Sequence, residues 1–112
     1  MLKVSSTGDV TEVRFENLEK LNILVTDSIK AALLKLFEKP NAKILINMKD
    51  VSFLDSSGFA TFLTISKTAG KSNGQIIFCN VSKSVMDLFK VLQLHTLFKI
   101  INDREEAINS FK

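Results

Sequence analysis

The stretch "AKILINMKDVSFLDSSGFATFL", Ala42 to Leu63, decides how this chain is read. "KILINM" is a short, almost continuous apolar run, the pattern of a strand covered on both faces. "VSFLD" leaves the end of a strand and "SSGF" opens a helix. Beyond it Phe59, Phe62, Leu63, Ser66 and Ala69 mark one helical face. A strand that runs into a helix through Asp55, Ser56, Ser57 and Gly58 puts these four residues at the carboxyl edge of a sheet. Open α/β folds keep their sites at that edge.

Working outward, Leu2 to Ser5 reads as a short strand, "STGD" as a turn with Gly8 suited to positive φ, and Val10 to Phe15 as an alternating strand. Val13 and Phe15 share one face of it, Glu12 and Arg14 the other. Together these make a hairpin. Val25, Ile29, Leu33, Leu36 and Phe37 recur at helical spacing, with Asp27, Lys30 and Lys35 opposite, and Pro40 stops that helix. "QIIFCNV" is a second buried-strand candidate. Ser82 caps a helix that places Val85, Leu88, Phe89 and Leu92 on one face. "TLFKII" reads as a final strand, and "NDREEAINSF" as a last helix with Asn102 as cap and Glu105 three residues on. The order is ββαβαβαβα. That pattern predicts an α/β fold with a mixed, mostly parallel sheet of about five strands, an N-terminal β-hairpin and about four helices.

With 112 residues the chain fits one domain, residues 1–112, and can bury a real core. At 46% hydrophobic it is too apolar to be disordered. No run reaches the ~20 apolar residues that span a bilayer, so no membrane insertion is expected. "MLKVSSTGDV" lacks the apolar core of a signal peptide, and the lone Cys79 excludes an internal disulfide; both point to the cytoplasm. The net charge of +3 comes from scattered lysines, not the one-sided cluster of a nucleic-acid binder. No direct nucleic-acid binding is expected.

The residue types leave three readings of the serines. In the plainest, Asp55 or Ser56 caps the helix, and Gly58 lets another chain approach closely. An enzymatic reading needs a base. The only histidine, His95, has no orienting acid, and "FLDSSGF" lacks the glycine of a nucleophile elbow. One His and one Cys make no zinc site, no phosphate loop is present, and Cys79 reads as a small buried residue, so neither metal nor cofactor is expected. The third reading is covalent control. Phosphate on Ser56 or Ser57 would sit at a helix N-terminus, which tolerates negative charge, while the surface gains up to two charges beside Asp55.

"INMKDVSFLDSSGFATFLTI" resembles the central segment of STAS domains, in particular bacterial anti-sigma factor antagonists (anti-anti-sigma factors). The resemblance extends to the β-β-α opening, to "GQIIFCNVSKSVMDLFKVLQL" and to "FKIINDREEAI". It implies that Ser57 is the phosphoacceptor, with Asp55, Ser56 and Gly58 as its neighbours in the switch motif. It also implies a non-enzymatic binding module. The unmodified domain would bind an anti-sigma factor that is also a serine kinase of the histidine-kinase-like ATPase fold, and so free a sigma factor. The kinase, which carries the ATP site, would end the binding by phosphorylation, and a serine phosphatase would reset it. Other uses of such a domain are a subunit of a signalling or lipid-transport assembly and a nucleotide or small-molecule binder. The stretch "FENLEKLNIL" departs from the G-x-[IL]-D pattern of many members, with residues such as Glu16 and Glu19 in place of its glycine and aspartate. That departure bears on which partner is recognised.

Overall fold

The computed structural model describes residues 2–112. Strands β1 (Leu2–Thr7) and β2 (Val10–Phe15) form the expected hairpin, and Gly8 between them has φ +62°. β2 then pairs in parallel with β4 (Lys43–Asn47), and β4 in parallel with β6 (Gln75–Cys79). The main sheet therefore runs β1-β2-β4-β6, mixed and mostly parallel. Between these strands lie α1 (Ile23–Leu36) and α2 (Ser56–Lys71); α3 (Lys83–Val91) and α4 (Arg104–Asn109) follow β6.

Strand alternation divides the core in two. On the face covered by α1, α2 and α3, Val13, Ile44, Ile46 and Phe78 meet Ile29, Leu33, Phe62, Val85 and Phe89. Phe98 joins an aromatic cluster there, 5.0 Å from Phe78 and 5.5 Å from Phe89 between ring centres. On the opposite face Val10, Leu45, Ile77 and Cys79 are covered by Ala107 of α4 and, in part, by Ile101, Ile108 and Phe111. "KILIN" is apolar throughout because Ile44 and Ile46 serve one core and Leu45 the other.

Three expectations need correction. The final strand over "TLFKII" is reduced to a single parallel bridge between Phe78 and Ile100. Leu94–Thr96 makes a 3-10 turn instead, and the N–H groups of both Leu97 and Phe98 bond to the Leu94 carbonyl. Local turn bonds thus use the backbone groups a strand would have offered β6. Asn102 is not the cap of α4. Asp103 is, accepting from the N–H groups of Glu105 and Glu106, while the Asn102 amide is drawn away to hold both backbone groups of Val81. Leu92, expected on the buried face of α3, is the residue that ends the helix and is 51% exposed.

A feature absent from the expected order positions the site. Two-residue strands β3 (Lys20–Leu21) and β5 (Phe53–Leu54) pair in parallel outside the main sheet, Lys20 against Phe53 and Leu21 against Leu54. Each is followed by one cap residue and then a helix, α1 after β3 and α2 after β5. The register of this ladder therefore brings the N-termini of α1 and α2 side by side.

Candidate functional site

At the junction, Asn22 caps α1, its side chain accepting from the Leu24 N–H at 3.0 Å. Asp55 caps α2, so of the two candidates for that role the aspartate fills it. Its Oδ1 accepts from the N–H groups of Ser57 at 2.9 Å and Gly58 at 3.2 Å, and also from the Ser57 hydroxyl in a short hydrogen bond. Its Oδ2 reaches across to the first turn of α1 and accepts from the Ile23 N–H at 3.1 Å. One carboxylate thus ties two helix N-termini, satisfying donors that helix starts leave free. The Asp55 N–H in turn bonds to the Leu21 carbonyl.

These bonds set the charge of Asp55. The Ser57 hydroxyl, more than any other group, holds its carboxyl below the ordinary 3.8, helped by the Gly58, Ile23 and Ser57 N–H groups and opposed by partial desolvation. Asp55 is an anion at neutral pH.

The Ser57 hydroxyl has a second partner. Thr26 of α1, 3% exposed, lies 3.1 Å from Ser57 Oγ. Ser57 has one proton, already given to an acceptor-only carboxylate, so Thr26 is the donor in that contact. Ser57 is half-buried and Ser56 exposed. Gly58 is buried, and a Cβ there would come within 3.0 Å of Leu54 Cδ2 and 3.1 Å of the Leu21 carbonyl. The close approach expected of this glycine is to the chain's own β3–β5 ladder.

Around this corner stand large apolar side chains open to water: Ile23 (66% exposed) and Leu24 (86%) in the first turn of α1, and Phe53 (43%) in β5. Of the loop "FENLEKLNIL", Glu19 contributes through its backbone. Its carbonyl accepts from Ser52 and Phe53 and closes the loop beneath the ladder.

The structure brings Asp55, Ser57 and Gly58 into one bonded unit and leaves Ser56 at its edge. His95 lies exposed in the 3-10 turn, and the buried Cys79 thiol is pushed up to about 11, first by burial and then by the Glu12 charge. Neither is placed to activate a serine. Among the described residues no cluster of His, Cys, Asp and Glu is arranged to hold a metal, and no helix is long and apolar enough to cross a membrane. Sequence reasoning missed Thr26. Its signal is its spacing: it falls on the face of Ile29, Leu33 and Phe37, a hydroxyl in an apolar stripe.

A second polar cluster lies under α4. Glu12 is buried, and Arg104 grips it through Nε and Nη2, the shortest contact 2.7 Å. Asn47 donates to the same carboxylate at 2.8 Å and accepts from Asn80. The Arg104 contact, above all, holds the Glu12 carboxyl below its ordinary 4.5, against the effect of burial.

A hairpin-led, mostly parallel sheet with a hydroxyl and a carboxylate at the start of its central helix defines a class of small α/β domains. The chain belongs to the STAS domain family, whose pattern matches residues 4–107. It is 21% identical over 92 residues to BtrV of Bordetella bronchiseptica, named as a candidate anti-sigma factor antagonist, covering 82% of this chain and 79% of that one. Its fold is similar to that of an anti-sigma-factor antagonist (STAS) domain protein of Planctomyces limnophilus, at 19% identity and a TM-score of 0.90, covering 98% and 97% of the two chains. It is also similar to the Bacillus cell fate determinant SpoIIAA in its phosphorylated form, at 22% identity and a TM-score of 0.71 over the whole of both chains.

Proposed function

We propose that this chain is an anti-sigma factor antagonist, a single-domain binding module of the cytoplasm switched by phosphorylation of Ser57. In its unmodified form it docks an anti-sigma factor that is also a serine kinase, and a sigma factor is released. The kinase ends the interaction by modifying Ser57, and a serine phosphatase restores it. The chain carries out no catalysis of its own. Asp55, Ser56, Ser57 and Gly58 form the switch, and Ile23, Leu24 and Phe53 form the apolar rim the partner covers.

One observation carries the reading: a half-buried serine hydroxyl, not needed as the helix cap, stands within a rim of exposed apolar side chains. Phosphate there adds roughly 1.5 to 2 negative charges without unfolding a helix N-terminus. The same charge under a docked apolar partner would be desolvated and unpaired, at a cost of about 3–5 kcal/mol.

The test is capture of the partner from native lysate, mapping of the phosphosite, and titration of wild type, Ser57→Ala and Ser57→Asp against the captured kinase. Wild type and Ser57→Ala should bind alike, and Ser57→Ala should stay bound when ATP is added. Ser57→Asp should bind at least a hundredfold more weakly while remaining folded, its melt lowered only by the loss of the Ser57–Asp55 bond and the repulsion that replaces it. Equal binding by the two variants would sink the proposal.

A further inference from the structure

Two groups share the Ser57 oxygen. Its proton goes to Asp55 Oδ1, one lone pair accepts from Thr26 Oγ1, and one lone pair is left uncommitted. The short bond to Asp55 holds the proton. Without the Thr26 donor both lone pairs are open; with it the first is taken and only the second remains, in a fixed direction. Ser56 offers the contrast. It is exposed, and its hydroxyl has no hydrogen-bond partner among the described residues.

We propose that Thr26 is a positioning residue for phosphoryl transfer to Ser57, acting through its hydrogen bond to Ser57 Oγ to aim the attacking lone pair. The inference rests on the switch reading above and adds to it a residue of α1, outside the D-S-S-G motif. In the step, the uncommitted lone pair of Ser57 Oγ attacks the γ-phosphorus of a nucleoside triphosphate held by the kinase. The Oγ–P bond forms as the bond from phosphorus to the β,γ-bridging oxygen breaks, and the diphosphate leaves with that electron pair. The hydroxyl proton leaves along the existing bond to Asp55 Oδ1 and passes to solvent. Thr26 keeps its own proton throughout and can go on donating to the ester oxygen. A hydroxyl held in the attacking geometry reacts faster than one that must find it, and small misplacements reduce rates by large factors. The same geometry favours Ser57 over the freely turning Ser56.

The experiment uses γ-labelled ATP and the kinase fraction captured from native lysate by the wild-type chain. Thr26→Val keeps the volume and β-branching but removes the donor, Thr26→Ala removes it without a methyl against Ser57, and Thr26→Ser restores it. Initial labelling of Ser57 should fall about tenfold or more in both donorless variants, and Thr26→Ser should return to within about twofold of wild type. In parallel, carbon-detected titration of the Asp55 carboxyl needs no kinase. Its midpoint should rise in Thr26→Val and Thr26→Ala and stay put in Thr26→Ser, because a Ser57 hydroxyl that no longer accepts from Thr26 is a weaker donor to the carboxylate. If wild type takes label elsewhere or nowhere, the switch reading fails and this inference with it. If wild type is labelled at Ser57 and the donorless variants keep pace, the switch reading stands and the role of Thr26 is refuted. A fall that Thr26→Ser does not rescue also overturns it, since it would mark a structural defect.

Discussion

Two helices of this chain start on an aspartate with nearly superposable bonds. Asp55 accepts from the N–H groups two and three residues on at 2.9 and 3.2 Å, and Asp103 does the same for Glu105 and Glu106 at the same two distances. Beyond the cap they diverge. After Asp103 come Arg104, Glu105 and Glu106; after Asp55 come Ser56, Ser57 and Gly58. Asp103 serves its own helix, whereas Asp55 also holds Ile23 of α1 and the Ser57 hydroxyl. Capping is a local property. A site arises where a second element brings its own donors to the same carboxylate, and here the β3–β5 ladder brings α1. The α4 start also carries two carboxylates in its first turn, which is the physical precedent within this chain for a charge at Ser57.

The largest effect on stability is expected on the α4 side. That helix is tied to the sheet by Arg104 rather than by its cap, and Arg104→Ala leaves the Glu12 carboxylate buried with Asn47 as its remaining partner. The expected loss is about 3 kcal/mol in a urea melt, the lower end for a broken buried pair because Arg104 itself keeps contact with water. Glu12→Gln in the same background should recover part of it. The pH dependence follows from the depressed Glu12 value. Its contribution is complete above the ordinary 4.5 and fades as pH falls through the lowered folded value, so Arg104→Ala should flatten the acid limb of the stability curve. A loss below 1 kcal/mol would mean that Ala107 and the apolar contacts hold α4 alone.

The next effect falls on the α2 side. Gly58 and Glu106 occupy the same position after their caps, yet Glu106 carries an exposed side chain and Gly58 has no room for a methyl. Gly58→Ala pushes on the Leu21 carbonyl, part of the backbone that aligns the two helix starts, and should destabilise by about 1–3 kcal/mol. Glu106→Ala should change stability by less than about 0.5 kcal/mol. If the two substitutions are equally mild in parallel melts, the close fit of α2 to the ladder is not what fixes the corner.

Periodicity made the elements legible, and it did so where burial is one-sided or complete. Ile29, Leu33 and Phe37, then Phe59, Phe62 and Ala69, lie buried on the helical faces their spacing marks. The strand–helix junction at Asp55 was legible for the same reason, since an apolar run ending in D-S-S-G leaves few other structures. The β3–β5 ladder was not. Two residues are too few to show an alternation, and Lys20 and Phe53 point outward. Without the ladder nothing in the sequence places Thr26 beside Ser57, thirty-one positions away. Glu12 was legible as a residue on the face opposite Val13, but not as buried, because its partner Arg104 lies ninety-two positions on. Asn102 misled because asparagine caps helices well, and only the Val81 backbone explains its other use.

The smallest expected effect separates the two caps most cleanly. Asparagine caps about as well as aspartate, so Asp103→Asn should keep its two N–H bonds and change stability by no more than about 0.5 kcal/mol. Asp55→Asn keeps the acceptor that faces Ser57 and Gly58, but the other side of its amide turns an N–H toward the Ile23 N–H, donor against donor. It should therefore destabilise more than Asp103→Asn, and part of that loss should disappear in acid. The Asp55 carboxyl titrates below 3.8 in the folded chain, so its charged form stabilises the fold above that pH and the benefit is lost as pH drops through the folded value. Asparagine cannot lose a benefit it does not have. Thermal melts of wild type and Asp55→Asn should accordingly stand apart at neutral pH and converge as the pH is taken below 3.8. Curves that stay parallel across that range would show that the carboxylate acts at this corner as a hydrogen-bond acceptor alone, in the way Asp103 does, and that its bond to α1 adds nothing the amide cannot supply.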